Sequence, residues 1–246
     1  MLVVHTLASS SPLIRRSDHA HQTSTLDWLV RSGDLVAMLP GVYRWAWAEE
    51  DFWLRASAVS LWRPDAVLRG AAAARLAWWP ELATEFLEVS VRTKCQVPWL
   101  RATPRPVPLD HTVDLHGVRV ATPALSVLHL VDQGRVEAVC EALRRGVVTM
   151  AGLDEALEAG RGTPGSRLRR EVMAACRHAP WSVLELEAHR ALRSAGITGW
   201  VTNHAVTLAG RRVFVDIAFP RLRLAIEIDG WAVHSGRDAF VGDRDR

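Results

Sequence analysis

The chain has 246 residues, of which 49% are hydrophobic, enough to bury a sizeable core and to form one large domain or two to three small ones. A net charge of +3 with a pI near 9.1 is compatible with a polyanionic partner without requiring one. No run of about 18 apolar residues free of charge occurs, so a membrane-spanning helix is not expected. The opening residues carry no basic leader and are not read as a signal peptide. Cys95, Cys140 and Cys176 are scattered, odd in number and lack a C-x-x-C pair, which argues against a disulfide framework and a structural zinc and favours the cytoplasm.

Taken in chain order, residues 11–44 predict short helices followed by a strand pair. Leu26, Leu29 and Val30 share one helical face, Gly33 stands at the stop, and Pro40-Gly41 marks a hairpin turn. Helices leading into such a ribbon predict a winged helix over residues 1–60. Asp51 to Trp79 reads as helical, with the alanines of 71–74 permitting close contact. Phe86–Val91 alternates as a strand, the proline-rich stretch Val97–Pro108 is loop or sheet edge, and His116–Val120 is a second strand. Thr122-Pro123 supplies an N-cap and first-turn proline for a helix to about Asp132. Another helix covers Val136–Arg145 and stops at Gly146, and Thr149 caps the next. Gly160–Gly165 has the composition of a linker, and the helix after it bears Arg167, Arg169 and Arg170, most simply as a solvated face. No internal repeat is evident, and the eleven tryptophans are best read as core or hydrophobic cover.

The C-terminal segment carries the chemistry. A helix opens at Ser182-Val-Leu-Glu185, whose spacing is also that of a capping box. Three extended stretches follow, 201–208, 212–219 and 224–229. Alternation puts Val213, Val215, Ile217 and Phe219 on one side of the second strand, the side expected to meet the helix, and Phe214 and Asp216 on the other. A hairpin with Arg221 and Leu222 at its tip sets Asp216 opposite Glu227 and Phe214 opposite Asp229. Carboxylates facing each other at roughly 5 Å repel unless something compensates. A divalent Mg²⁺ or Mn²⁺ ion is the natural compensator, and two acids in the apolar run Leu-Ala-Ile-Glu-Ile-Asp are unusual for a merely solvated face.

Two resemblances add to this reading. Ser32–Tyr43 (S-G-D-L-V-A-M-L-P-G-V-Y), Val120–Leu130 (V-A-T-P-A-L-S-V-L-H-L) and Ala142–Thr149 (A-L-R-R-G-V-V-T) resemble AbiEi-type antitoxins. This implies an N-terminal winged helix followed by a mixed α/β middle region over 61–178. Ser182–Gly196, Val213–His234 and Phe240–Arg246 resemble nuclease-like domains allied to very-short-patch-repair endonucleases, within the PD-(D/E)xK superfamily. That resemblance covers 179–246 and implies a helix plus three-stranded sheet in an α/β (α+β) protein, with Glu185 as the helix acid, Asp216 the metal-anchoring aspartate, and Glu227 and Asp229 the (D/E)-x-(K) element. His234, Asp243, Arg244 and Arg246 match the residues that follow. Asp216, Glu227 and Asp229 would hold Mg²⁺ or Mn²⁺. Asp229 takes the place of the superfamily's lysine, and Lys94 is the single lysine of the chain, so water activation would fall to the ion or to His234, which is equally readable as a surface histidine. Family members continue beyond the D-R-x-R segment, so the domain is expected to be incomplete at Arg246.

The expected function is a metal-dependent endodeoxyribonuclease acting on double-stranded DNA. The alternative is a DNA-binding regulator or antitoxin-like protein with a cognate toxin partner and no catalysis.

Overall fold

A computed structural model describes residues 11–208 and 210–228. It is a mixed α/β protein with eight α-helices and three sheets among those residues. The chain divides into two compact units between His129 and Leu130.

The first unit begins with β1 (Leu13–Arg15), a 3-10 turn over Arg16–Gln22 and α1 (Thr23–Ser32). Leu26 and Leu29 are the buried pair of α1. The helix ends where Gly33 takes φ 86°, a left-handed stop that costs glycine little. The hairpin β2 (Leu35–Leu39) and β3 (Val42–Trp45) turns at Pro40-Gly41 as the dipeptide predicts, and the sheet order is β1-β3-β2, antiparallel throughout. β1 itself escapes the sequence reading, because three residues carry no periodicity.

Asp51 then caps α2 (Phe52–Trp62), its carboxylate accepting from Leu54 N at 2.7 Å. The predicted helical run to Trp79 is broken. Arg63 is extended, as a residue preceding proline must be, and β4 (Val67–Leu68) intervenes before α3 (Gly70–Ala77). The four alanines of α3 are buried, so small side chains bring that helix close to its neighbours.

β5 (Leu87–Ser90), β6 (Leu100–Thr103), β7 (Thr112–Leu115) and β8 (Val118–Ala121) complete a five-stranded sheet of order β6-β5-β4-β8-β7. β4–β8 and β5–β6 are parallel and the other pairs antiparallel. The proline-flanked β6 is an edge strand, as expected. His116-Gly117 is a turn instead of strand: φ of 53° and 83° at successive residues makes a tight hairpin, and Asp114 Oδ1 accepts from Gly117 N at 2.8 Å. One apolar core, from Leu13 to Leu125, holds this unit together.

α4 (Pro123–Asp132) spans the division point. Its expected cap is not made by the side chain, since Thr122 Oγ1 is buried without a partner. The second unit continues with α5 (Glu137–Arg144), α6 (Met150–Ala159), α7 (Ser166–Ala175) and α8 (Val183–Ser194). Thr149 caps α6 as predicted, accepting from Gly152 N at 3.1 Å. The 160–165 stretch is a turn within this unit. There Arg169, 4% exposed, pairs with Asp132 through Nε at 2.8 Å and through Nη2, and the left-handed Gly165 lies against that carboxylate. Strands β9 (Val201–Leu208), β10 (Arg211–Phe219) and β11 (Leu224–Ile226) form an antiparallel sheet with β10 in the middle.

Candidate functional site

The site is built on α8 and the β9–β10–β11 sheet. Ser182 Oγ accepts from Glu185 N at 3.1 Å, half of a capping box. The return bond is displaced by one residue: Glu185 Oε2 accepts from Trp181 N at 2.9 Å. Glu185 is buried, at 6% exposure, and takes part in fixing the helix start.

The hairpin register agrees with the sequence reading. Ile217 pairs with Ile226, Ala218 with Ala225 and Phe219 with Leu224, around a turn at Pro220–Leu222 closed by Arg223 at φ 50°. The ladder stops at Ile226, one residue before Glu227. Asp216, 7% exposed, instead uses its carboxylate there: Oδ2 accepts from Ile228 N at 2.7 Å. Glu227 is exposed. A buried acid on the middle strand is thus tied to the backbone leaving the edge strand, immediately beyond Glu227.

Alternation assigns the helix to the Val213–Ile217 side of β10. Trp181, whose N–H holds Glu185, packs its ring against Phe214 at 5.6 Å, and Phe214 shares a side with Asp216. Trp181, just ahead of α8, therefore meets the side of β10 that carries Asp216.

β9 adds a residue the sequence reading missed. Val215 pairs with His204 and Ile217 with Thr202, yet the Asp216 position between them has no regular partner, because Asn203 turns to φ 46°. Asn203 Nδ2 donates to Ala179 O at 2.8 Å, and its Oδ1 is buried without a partner. Irregularities of this kind re-aim side chains beside functional sites. The signal was available: asparagine inside a strand is the common non-glycine occupant of left-handed backbone.

Below this lies an aromatic cluster. Trp200 sits 4.5 Å from His178 and 5.1 Å from His189 between ring centroids. His189 is fully buried, one turn along α8 from Glu185, with neither ring nitrogen bonded. Burial, reinforced by His178 and Arg193, pushes its pKa down to about 4, so it is a neutral core residue at pH 7.

Carboxylate oxygens such as those of Asp216 and Glu227 suit a hard cation by their chemistry. Among the described residues no group of three His, Cys, Asp or Glu side chains has metal-holding geometry. Asp229, His234, Asp243, Arg244 and Arg246 lie outside the described residues. In the first unit a cavity at the Pro40-Gly41 turn is lined by Arg15, Arg16, Arg63 and Trp62. Arg15 and Arg16 already pair with Asp18 and Asp27, at 2.7 and 2.6 Å. No helix among the described residues is long and apolar enough to cross a membrane. No protein-family model matches the chain, and no curated protein matches it.

Proposed function

We propose that this protein acts on double-stranded DNA and that its C-terminal segment is a metal-dependent endonuclease domain of the PD-(D/E)xK type. The observation that carries the reading is the buried Asp216 on β10, bonded to the backbone just past Glu227, with Trp181, whose N–H holds Glu185, packed on the same side of the sheet. Helix, then three antiparallel strands, with acids on the helix, on the middle strand and just past the edge strand, is the order that the resemblance implies. In this reading Asp216, Glu227 and Asp229 hold Mg²⁺ or Mn²⁺. Such an ion supplies Lewis-acid polarisation of the phosphodiester when bound. Glu185 orients the acid cluster from the helix side, and His234 handles a proton.

The test is Asp216→Asn in the full chain, assayed by nicking of supercoiled plasmid in Mg²⁺ beside circular dichroism. The amide keeps the shape and an oxygen for Ile228 N while removing the charge. Loss of nicking with an unchanged spectrum is expected; equal nicking by both proteins, or none by the parent, overturns the reading.

A second reading is favoured by a different observation. The β1-β3-β2 sheet, with α1 leading into the β2–β3 hairpin, supports a winged helix and hence a DNA-binding regulator or antitoxin-like protein with a toxin partner. Metal-free duplex binding by the full chain should then weaken steeply with salt, since phosphate neutralisation releases counterions. Arg31→Ala on the exposed side of α1 should weaken it further. Absence of binding at low salt removes this alternative. Either reading is of a cytoplasmic protein.

A further inference from the structure

Four non-glycine residues among those described take left-handed backbone: His116, Ala179, Asn203 and Arg223. His116 and Arg223 stand in hairpin turns, where that conformation is ordinary. Ala179 and Asn203 do not, and they are bonded to each other: Asn203 Nδ2 donates to Ala179 O at 2.8 Å. Alanine at φ 48° crowds its Cβ against the following carbonyl, and Ala179 also precedes Pro180, which favours extended backbone in the residue ahead of it. The Ala179 N–H closes the turn after α7 on Cys176 O at 2.8 Å, so both polar backbone atoms of this strained residue are held.

On the β9 side the geometry is equally unusual. Successive side chains of a strand point to opposite faces, yet Thr202 and Asn203 reach the same segment, Thr202 Oγ1 donating to His178 O at 2.7 Å. The φ of 46° at Asn203 allows it, and the same turn takes Asn203 out of the ladder across from Asp216. Glycine would adopt this backbone without steric cost, and the asparagine in addition leaves its Oδ1 buried without a donor. What the amide adds, and glycine could not, is the bond to Ala179.

That bond leads to the candidate site. Pro180 is buried and its ring fixes φ, so the placement of Ala179 carries over to Trp181. Trp181 N donates to Glu185 Oε2 at 2.9 Å, and its ring lies 5.6 Å from that of Phe214, on the side of β10 that carries Asp216. We infer that Asn203 is a positioning residue of the nuclease proposed above, on which reading the inference rests: by pinning Ala179 it sets Trp181, and through the Trp181 N–H it aims the Glu185 carboxylate. Strained backbone persists only where surrounding bonds over-determine it, and here those bonds converge on the residue that holds Glu185.

The experiment compares the full chain with Asn203→Gly, which keeps left-handed backbone without steric cost and removes the amide. Hydrogen exchange at the Trp181 backbone amide is followed by NMR on tryptophan-labelled protein, and nicking of supercoiled plasmid in Mg²⁺ is measured across substrate concentration. Exchange at Trp181 should quicken about tenfold while urea unfolding stays near the parent's. The kcat should fall about tenfold or more with KM little changed, since a misplaced group costs rate before it costs binding. Trp181 exchange or kcat left at the parent's value overturns the inference. A parent that does not nick overturns the endonuclease reading and takes this role of Asn203 with it, whereas a nicking parent whose Trp181 exchange is unmoved by the substitution overturns the inference alone. If Asn203→Gly fails to fold, Asn203→Asp, which keeps the side-chain shape and puts an acceptor in place of the donor, decides by the same two readouts.

Discussion

The two units are stabilised by different means. In the first, the buried non-apolar side chains among the described residues are Ser90, Ser126 and His129, set in a continuous apolar core; in the second they are Arg169, Glu185, His189 and Asp216. An ionised group taken out of water costs several kcal/mol unless it finds a partner. The second unit meets that cost by local bonds: Arg169 to Asp132, Glu185 to Trp181 N, Asp216 to Ile228 N. The two three-stranded sheets repeat the contrast. Leu35, Leu39, Val42 and Trp45 are all buried in the first, while Val201, Leu208 and Leu224 stay 40% to 61% exposed in the other.

That contrast can be broken most directly at Asp132. Asp132→Ala strands the guanidinium of Arg169 in the interior and should cost about 3–5 kcal/mol in urea unfolding. Leu26→Ala, at a fully buried site of the first unit, should cost about 2–5 kcal/mol by a cavity instead. An Asp132→Ala cost below about 1 kcal/mol would contradict the buried-charge account of the second unit.

Acid should separate the units next. The His189 pKa is pushed down to about 4 in the fold, from an ordinary value near 6.5, so between those values the unfolded chain takes up a proton that the folded one refuses. Its contribution is complete above pH 6.5 and is lost as pH falls through that window, by roughly 3 kcal/mol at the acid end. Equilibrium unfolding at stepped pH should show the slope, and His189→Leu should flatten it.

Smaller effects sharpen the comparison by being equal. Asp51→Ala at the start of α2 and Ser182→Ala at the start of α8 each remove a side-chain acceptor from a helix N–H, and each should cost about 1 kcal/mol. Leu224→Ala, on a half-exposed strand, should change stability by less than about 0.5 kcal/mol. A larger loss there would mean that β11 is covered in solution.

What could be read from the sequence follows from how far each signal extends. The β10–β11 register was legible because alternation and a turn over residues 220–223 admit one pairing, and the α1 stop at Gly33 because left-handed backbone is glycine's ordinary use. β1 and β4, of three and two residues, carry no period, and the parallel β4–β8 pairing leaves no local mark. At the candidate site the order of Glu185, Asp216 and Glu227 along the elements could be foreseen. The contact of Trp181 with Phe214 could not, since no local pattern joins a residue ahead of the helix to the middle strand.

The turn at Gly160–Gly165 has the makeup of a hinge, and a protease guided by composition would be expected to cut there. Its backbone is held down: Thr163 Oγ1 donates to Gly160 O at 2.6 Å and accepts from Arg169 Nη1 at 3.3 Å, while a side chain at Gly165 would collide with the Asp132 carboxylate. A cleavage site must peel away from its surroundings to enter a protease, and here peeling means dismantling a buried ion pair. This stretch should therefore survive limited digestion, and a tag or fluorophore inserted into it would be tolerated poorly despite its glycine content.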